Sequence, residues 1–211
     1  MFVNENGETL PYLEVVEQFL VSQYIEPNDH VLELGARYGM VSVGINKLLA
    51  DPTKQVVVEP DDRVIGALHE NRDYHDCKFG IWYGFVSETP LSLTRTDHVC
   101  QGDPYLKGYG STFVKEDSSI PISDIYCLEK RFNVSFNTLV ADCEGYLEEF
   151  FLQNTNLFKR LDKVIFEEDY PDKCDYQWIK NQLVSHGFQC EAHVTCKTPT
   201  KKIKHFVYIK E

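Results

Sequence analysis

The feature that most constrains this chain is the run Val31-Leu-Glu-Leu-Gly-Ala-Arg-Tyr-Gly39, followed at close range by Val58-Glu-Pro-Asp61. A short apolar run that stops at a glycine reads as a buried strand ending in a tight turn, since glycine has no Cβ to crowd it. Val41, Ile45, Leu48 and Leu49 then recur at helical spacing up to Asp51-Pro52, where a helix has to stop. Gln55 to Val58 is a second buried strand, and Val64, Ile65 and Leu68 mark a second helix. Strand, turn, helix and strand in so short a span open a parallel sheet.

The alternation continues along the chain. Phe79 to Val86 predicts a third strand, Phe136 to Ala141 leads into a fourth, and Lys163 to Phe166 is a fifth. Leu147, Phe150 and Phe151 form the face of the helix between the last two. Ahead of the first strand, Leu13, Val16, Leu20 and Tyr24 share one face of a helix that ends before Pro27. Ile179 and Leu183 mark a last helix closed by Gly187. Phe188 to Cys196 and Ile203 to Lys210, joined by a Lys-Thr-Pro-Thr-Lys turn, read as an antiparallel hairpin. Residues 96–119 and 168–175 read as loops. The expected architecture is one α/β domain over residues 1–211: a doubly wound, mostly parallel seven-stranded sheet with helices on both faces and a C-terminal antiparallel hairpin. Residues 1–26 are expected to supply an N-terminal helix over the ligand site, and residues 96–119 a substrate loop.

Composition narrows the partners. Thirty-three acidic residues against 21 Lys and Arg give a net charge of −12, which repels phosphate backbones and argues against nucleic acid. The 43% hydrophobic content supports a packed core. Seven scattered cysteines with no Cys-x-x-Cys pair fit free thiols in a reducing compartment. The polar first eight residues are unlike a secretory leader, and no apolar run approaches the roughly 20 residues of a membrane span. A cytoplasmic location is expected.

The chemistry concentrates at strand ends. Free N–H groups in the turn from Gly35 to Gly39, and the positive end of the helix after it, favour an anion. Glu59 lies about 24 residues beyond Gly35, where a carboxylate can accept both hydroxyls of a ribose. Together they point to a nucleotide-type ligand. A dinucleotide oxidoreductase needs G-x-G-x-x-G, whereas Ala36 and Arg37 stand inside this turn, so an NAD(P) enzyme is the weaker reading. The spacing of Glu33, Gly35 and Gly39, E-x-G-x-x-x-G, is the methyltransferase form.

Leu139-Val-Ala-Asp-Cys-Glu-Gly145 delivers Asp142 and Glu144 at the end of the fourth strand, and Gly145 opens the next helix. Two carboxylates there repel unless a cation, a proton or a donor-rich ligand lies between them. The fifth strand ends in Glu167-Glu-Asp-Tyr170, and neighbouring strands lie only about 4.8 Å apart. Asp142 with Glu167 or Glu168 can therefore converge on a hard divalent ion, Mg²⁺ or Mn²⁺, which would acidify a substrate hydroxyl. Equally, these acids can bind hydroxyls directly or act as base without metal. Gly102-Asp-Pro-Tyr105 lacks the second proline of the Asn/Asp-Pro-Pro-Tyr box of base-methylating enzymes and precedes the fourth strand. Tyr105, Lys107, Tyr109 and Ser111 are instead expected on a substrate lid, with His98 as an auxiliary base.

With these pieces in place, the chain resembles the FkbM family of S-adenosylmethionine-dependent O-methyltransferases from about residue 29 to about residue 188. The resemblance rests on VLELGARYG with VVVEPD, on Gly84-Phe-Val-Ser87, on Gly110-Ser111, and on Ile120-Pro-Ile-Ser-Asp-Ile. Its most specific part is LVADCEGYLEEFF, which is similar to the family's I-D-x-E-G-x-E signature at Asp142, Glu144, Gly145 and Glu148. Val164-Ile-Phe-Glu167 resembles the strand-end glutamate that follows. An alanine before Asp142 and Tyr146 in place of a small residue depart from the pattern. The compact size and tyrosine-rich loop are also similar to those of the small sugar O-methyltransferases of large algal viruses.

The resemblance implies a class I methyltransferase, with S-adenosylmethionine across the ends of the first three strands. Glu33, Gly35, Ala36, Arg37 and Gly39 would hold its methionine part, Glu59, Pro60 and Asp61 its ribose, and Gly84 and Phe85 its adenine, with Asp142 beside the methyl group. Asp142, Glu144 and Glu167 would be catalytic, and Glu144 would also contact the acceptor. That acceptor would be a sugar, glycan or other small molecule with free hydroxyls, and the chain would act alone or as a homodimer. A catalytically inactive binding subunit, an N-methyltransferase and the oxidoreductase remain as alternatives.

Overall fold

The computed structural model describes residues 1–11, 14–99, 107–116, 118–197 and 202–210, with the backbone alone for 95–99, 107–111 and 197. In chain order its elements begin with α1 (Val15–Tyr24), β1 (Val31–Leu34), α2 (Met40–Asn46), β2 (Gln55–Glu59) and α3 (Asp62–Tyr74). Next come β3 (Gly80–Tyr83), β4 (Phe85–Val86), β5 (Ser92–Val99), β6 (Lys107–Val114), β7 (Ile122–Ser123) and α4 (Ile125–Phe132). The last are β8 (Thr138–Ala141), α5 (Leu147–Gln153), α6 (Leu157–Arg160), β9 (Lys163–Glu168), α7 (Tyr176–Ser185), β10 (Phe188–Lys197) and β11 (Lys202–Lys210).

Seven strands form one sheet in the order β10-β11-β9-β8-β1-β2-β3. All neighbours from β9 to β3 pair in parallel, and β11 runs antiparallel between β9 and β10. The α/β class, the seven strands and the closing hairpin are those expected from the pattern. Strand periodicity divides the core. Leu32, Leu34, Val56, Val58, Leu139, Val164 and Phe166 face α4, α5 and α7, packing on Phe150, Phe151 and Ile179. Val31, Val140, Ile165 and Val207 face α1 and α2, against Leu20, Val21 and Ile45. Because both faces are covered, the central strands are near-continuous apolar runs. Each large side chain so buried contributes about 1.5–3 kcal/mol.

Four expectations change. The N-terminal helix is confined to Val15–Tyr24, and the segment before it turns around a Val3–Thr9 bridge fastened to α3 through Asn71. The third strand breaks at Gly84, whose φ of 140° and approach to the Pro121 carbonyl, 2.2 Å from where a Cβ would sit, admit no side chain. Beyond the break, Phe85 and Val86 leave the main sheet to pair with β7. The stretch read as a loop over residues 96–119 contains most of a two-stranded hairpin, β5 on β6, with Leu93 opposite Phe113 at its base. Helix α4 was not legible as an element, having only Ile125 and Leu128 buried.

Candidate functional site

The sheet order reverses beside β1: β2 and β3 lie to one side, β8 and β9 to the other. Chain segments leaving β1 and β8 at their C-terminal ends diverge there and leave a crevice, the usual ligand position in open α/β sheets. A cavity occupies it. Gly35, Arg37, Glu59, Pro60, Asp61, Phe85 and Asp142, all expected at the cofactor, line it, and so does Glu144.

The turn after β1 differs from its expected role. Gly35 (φ 86°) is dictated by protein packing, since a Cβ there would stand 1.7 Å from the Asp142 carbonyl oxygen. Gly39 (φ 82°) abuts Leu68 of α3 in the same way. Nor are the turn's N–H groups free: those of Gly35 and Ala36 donate to the Val58 carbonyl, Gly39 to Ala36, and Arg37 to Glu59 Oε2 at 2.7 Å. Ala36 packs in the core against Val57 and Phe79. An anion cradle of bare backbone amides is therefore absent at these four residues. Among the described residues of the lining, Arg37 carries the one basic side chain. Burial works against its charge, but Tyr38, Glu14 and Glu144 outweigh it and raise its pKa.

Glu59 closes β2 with both oxygens engaged, Oε2 on the Arg37 N–H and Oε1 on the Asp61 N–H at 2.8 Å. Burial pushes its carboxyl up to about 7 against the pull of these bonds. Glu33 is absent from this lining but belongs to that of the neighbouring cavity under α1. It lies toward α2, accepting from Ser42 Oγ (2.8 Å) and Gln55 Nε2 (3.0 Å), so it ties β1 to its neighbours. Phe85, Tyr146 and Phe113 form an edge-to-face wall with ring centroids 5.7 and 5.1 Å apart, and the Tyr146 hydroxyl donates to the Val86 carbonyl. Tyr146 thus forms one side of the cavity.

Asp142 and Glu144 follow β8. Asp142 continues the face that carries Val140, toward α1. Glu144 adopts a left-handed φ of 50°, and Gly145 repeats it at 89°, where a Cβ would press on Tyr170 and Lys173 at 3.1 and 3.2 Å. One oxygen of Glu144, Oε2, is buried with no hydrogen-bond partner. Of the five non-glycine residues with left-handed φ among the described ones, Glu14, Arg37 and Glu144 all line this cavity. Such strain gathers where function holds it in place.

A second cavity shares Glu14, Leu34, Gly35 and Asp142 with the first and runs under α1. Glu17 of α1, Glu167 of β9 and His205 of β11 meet there, with His205 Nε2 2.8 Å from Glu17 Oε1 and 3.2 Å from Glu167 Oε2. Burial would raise Glu17, but the bonds to His205 and Glu167 hold it at about 2. His205 is raised because Glu17 outweighs the cost of burying an imidazolium. Burial, then Glu167, Glu144, Asp169 and Glu17, push Asp142 far above the usual carboxylate range.

The acids expected at a divalent ion are rearranged. Donor atoms of Asp142, Glu167 and Asp169 lie within 4.8 Å of one another, while Glu168 points to the opposite face, paired with Lys180 and Lys204. Strand alternation is the reason: residues 167 and 169 share a face and 168 does not. Of the substrate residues, Tyr105 lies outside the described residues. Lys107, Tyr109 and Ser111 fall on β6, and their side chains, like that of His98 on β5, lie outside the description. Glu14, Glu17, Asp169, His205 and Phe113 were not anticipated. For Asp169 a signal existed in its period-two spacing from Glu167. For Glu14, Glu17 and His205 none did, since distant segments bring them in.

No family model matches the chain, and no curated protein matches it. Solved structures do. A protein described as a candidate RNA methyltransferase of Pyrococcus horikoshii aligns over 92% of this chain and 80% of its own, at 19% identity and a TM-score of 0.54. A precorrin-6y C5,15-methyltransferase of Geobacter metallireducens aligns over 100% and 94%, at 13% and 0.54. Magnesium protoporphyrin IX methyltransferase of Synechocystis PCC 6803, solved with bound S-adenosylmethionine, aligns over 94% and 77%, at 11% and 0.53. At these identities the likeness is one of fold: the chain has the Rossmann-like fold of class I methyltransferases.

Proposed function

We propose that the chain is an S-adenosylmethionine-dependent O-methyltransferase acting on a hydroxyl of a sugar, a glycan or a comparable small molecule. The observation that carries this reading is the cavity at the sheet's switch point, walled by Glu59 at the end of β2 and by Asp142 and Glu144 at the end of β8. S-adenosylmethionine would supply there a methyl group already activated by its sulfonium. Arg37 would hold the methionine carboxylate and Glu59 the ribose, and the wall of Phe85, Tyr146 and Phe113 would flank the adenine. Neither Glu33 nor Gly39 would touch the cofactor. They would act by shaping the turn.

On the acceptor side, Asp142 would take the hydroxyl proton. Once ionised, a carboxylate whose pKa is raised is the stronger acceptor, and Glu167, held by His205 and Glu17, can share that proton. Orientation and exclusion of water supply much of the remaining rate. The acidic balance of the chain, −12, favours a neutral or cationic acceptor over a phosphate polymer. A second reading adds Mg²⁺ or Mn²⁺ held by Asp142, Glu167 and Asp169, favoured by the mutual approach of their oxygens. Loss of transfer in EDTA with recovery in Mg²⁺ separates it from the metal-free reading.

The test is a mass-spectrometric screen of sugar acceptors for methyl gain with S-adenosylmethionine. Asp142→Asn should lower turnover at least a hundredfold with a much smaller effect on cofactor affinity; wild-type turnover would remove Asp142 from the chemistry. Cofactor binding without methyl gain on any acceptor, in a chain whose Asp142→Asn form binds alike, would favour an inactive binding subunit.

A further inference from the structure

Among the described residues, the cofactor cavity is lined by the acids Glu14, Glu59, Asp61, Asp142 and Glu144 against one basic side chain, Arg37. Asp61 is neutralised outside the cavity by its ion pair with Arg63, and Glu59 by two backbone N–H groups. Glu144 is different. Its Oε2 is buried and unpartnered, and its backbone is held left-handed, so the carboxylate is fixed in place with an oxygen to spare. A buried anionic oxygen without a donor is costly, and a ligand that brings positive charge relieves that cost.

Donor and product of a methyl transfer from S-adenosylmethionine differ by one CH₃⁺. The donor carries a sulfonium and an ammonium against one carboxylate. The product keeps only the ammonium and carboxylate, because sulfur retains the electron pair of the broken bond. Resting on the cofactor reading above, we propose that Glu144, supported by Glu14, is a specificity-determining residue that selects the sulfonium donor over its thioether product and so speeds product release. Charge alone does the sorting, since the two ligands otherwise share every group that Arg37, Glu59 and the aromatic wall would contact.

Calorimetric titration of the full chain with three ligands tests this. S-adenosylmethionine and sinefungin, whose protonated amine stands near the sulfonium position, should each bind at least tenfold tighter than S-adenosylhomocysteine. In Glu144→Gln, which keeps the shape and removes the charge, that gap should close to threefold or less with S-adenosylhomocysteine affinity nearly unchanged. At pH 8, above the value of about 7 to which burial pushes its carboxyl, Glu14→Gln should narrow it by a smaller factor. Equal binding of all three ligands by the wild type would overturn the inference and leave the cofactor reading standing. An undiminished gap in both variants would overturn the assignment to these residues, and no binding of any ligand would remove the cofactor reading itself.

Discussion

A carboxyl buried as Glu33 is keeps its proton where an exposed one would lose it, even though donors from Ser42 and Gln55 pull the other way. Burial pushes Glu33 up to about 8, and Glu14 and Glu59 up to about 7, from an ordinary 4.5. The folded chain therefore binds more protons than the unfolded one between about pH 4.5 and 8, and stability falls as pH rises through that window. Glu33→Gln should lose less melting temperature than the wild type between pH 6 and 8.5; parallel curves would contradict a buried, protonated Glu33. Gly35→Ala should cost several kcal/mol, on the order of 3 or more, because its Cβ would meet the Asp142 carbonyl 1.7 Å away. A soluble variant of near-native melting point would show that the turn can give way. Glu59 was legible in the sequence because an acid ending a buried strand is rare. Glu33 was legible as important, but strand alternation turns it from the first cavity toward Ser42 and Gln55, in the lining of the second.

Elements buried on both faces announce themselves, whereas those buried on one edge do not. β1, β2, β8 and β9 read as strands because Val, Ile and Leu fill them. The β5–β6 hairpin was not legible because its sequence carries no sustained apolar alternation; among its described side chains, Leu93 and Phe113 at the base line the cavity. Phe113→Ala should weaken S-adenosylmethionine binding about tenfold by opening the wall against Tyr146, and unchanged affinity would place the cofactor away from the hairpin. Helix α4 is held at its start by Asp124 Oδ1, which accepts from the Cys127 N–H at 2.7 Å. Asp124→Ala should cost about 1 kcal/mol, or roughly 3 °C in a thermal melt. No shift would mean that packing alone sets that end.

At the scale of the molecule, one topological fact organises the rest. Reversal of strand order beside β1 opens the crevice, and chain direction brings the C-terminal ends of β1, β2, β8 and β9 to its rim. Acids at those ends were visible in the sequence. Their grouping with Glu14, Glu17 and His205 was not, because α1 and β11 reach the rim from opposite ends of the chain. Among the described residues no helix is long and apolar enough to cross a membrane. The central claim is that the crevice binds S-adenosylmethionine, and its most direct measurement is calorimetric titration of the purified chain with that compound, beside NAD⁺ and beside Glu59→Ala. Micromolar binding of S-adenosylmethionine is expected, none of NAD⁺, and at least tenfold weaker binding in Glu59→Ala. Absence of binding at millimolar S-adenosylmethionine, or a preference for NAD⁺, would contradict it.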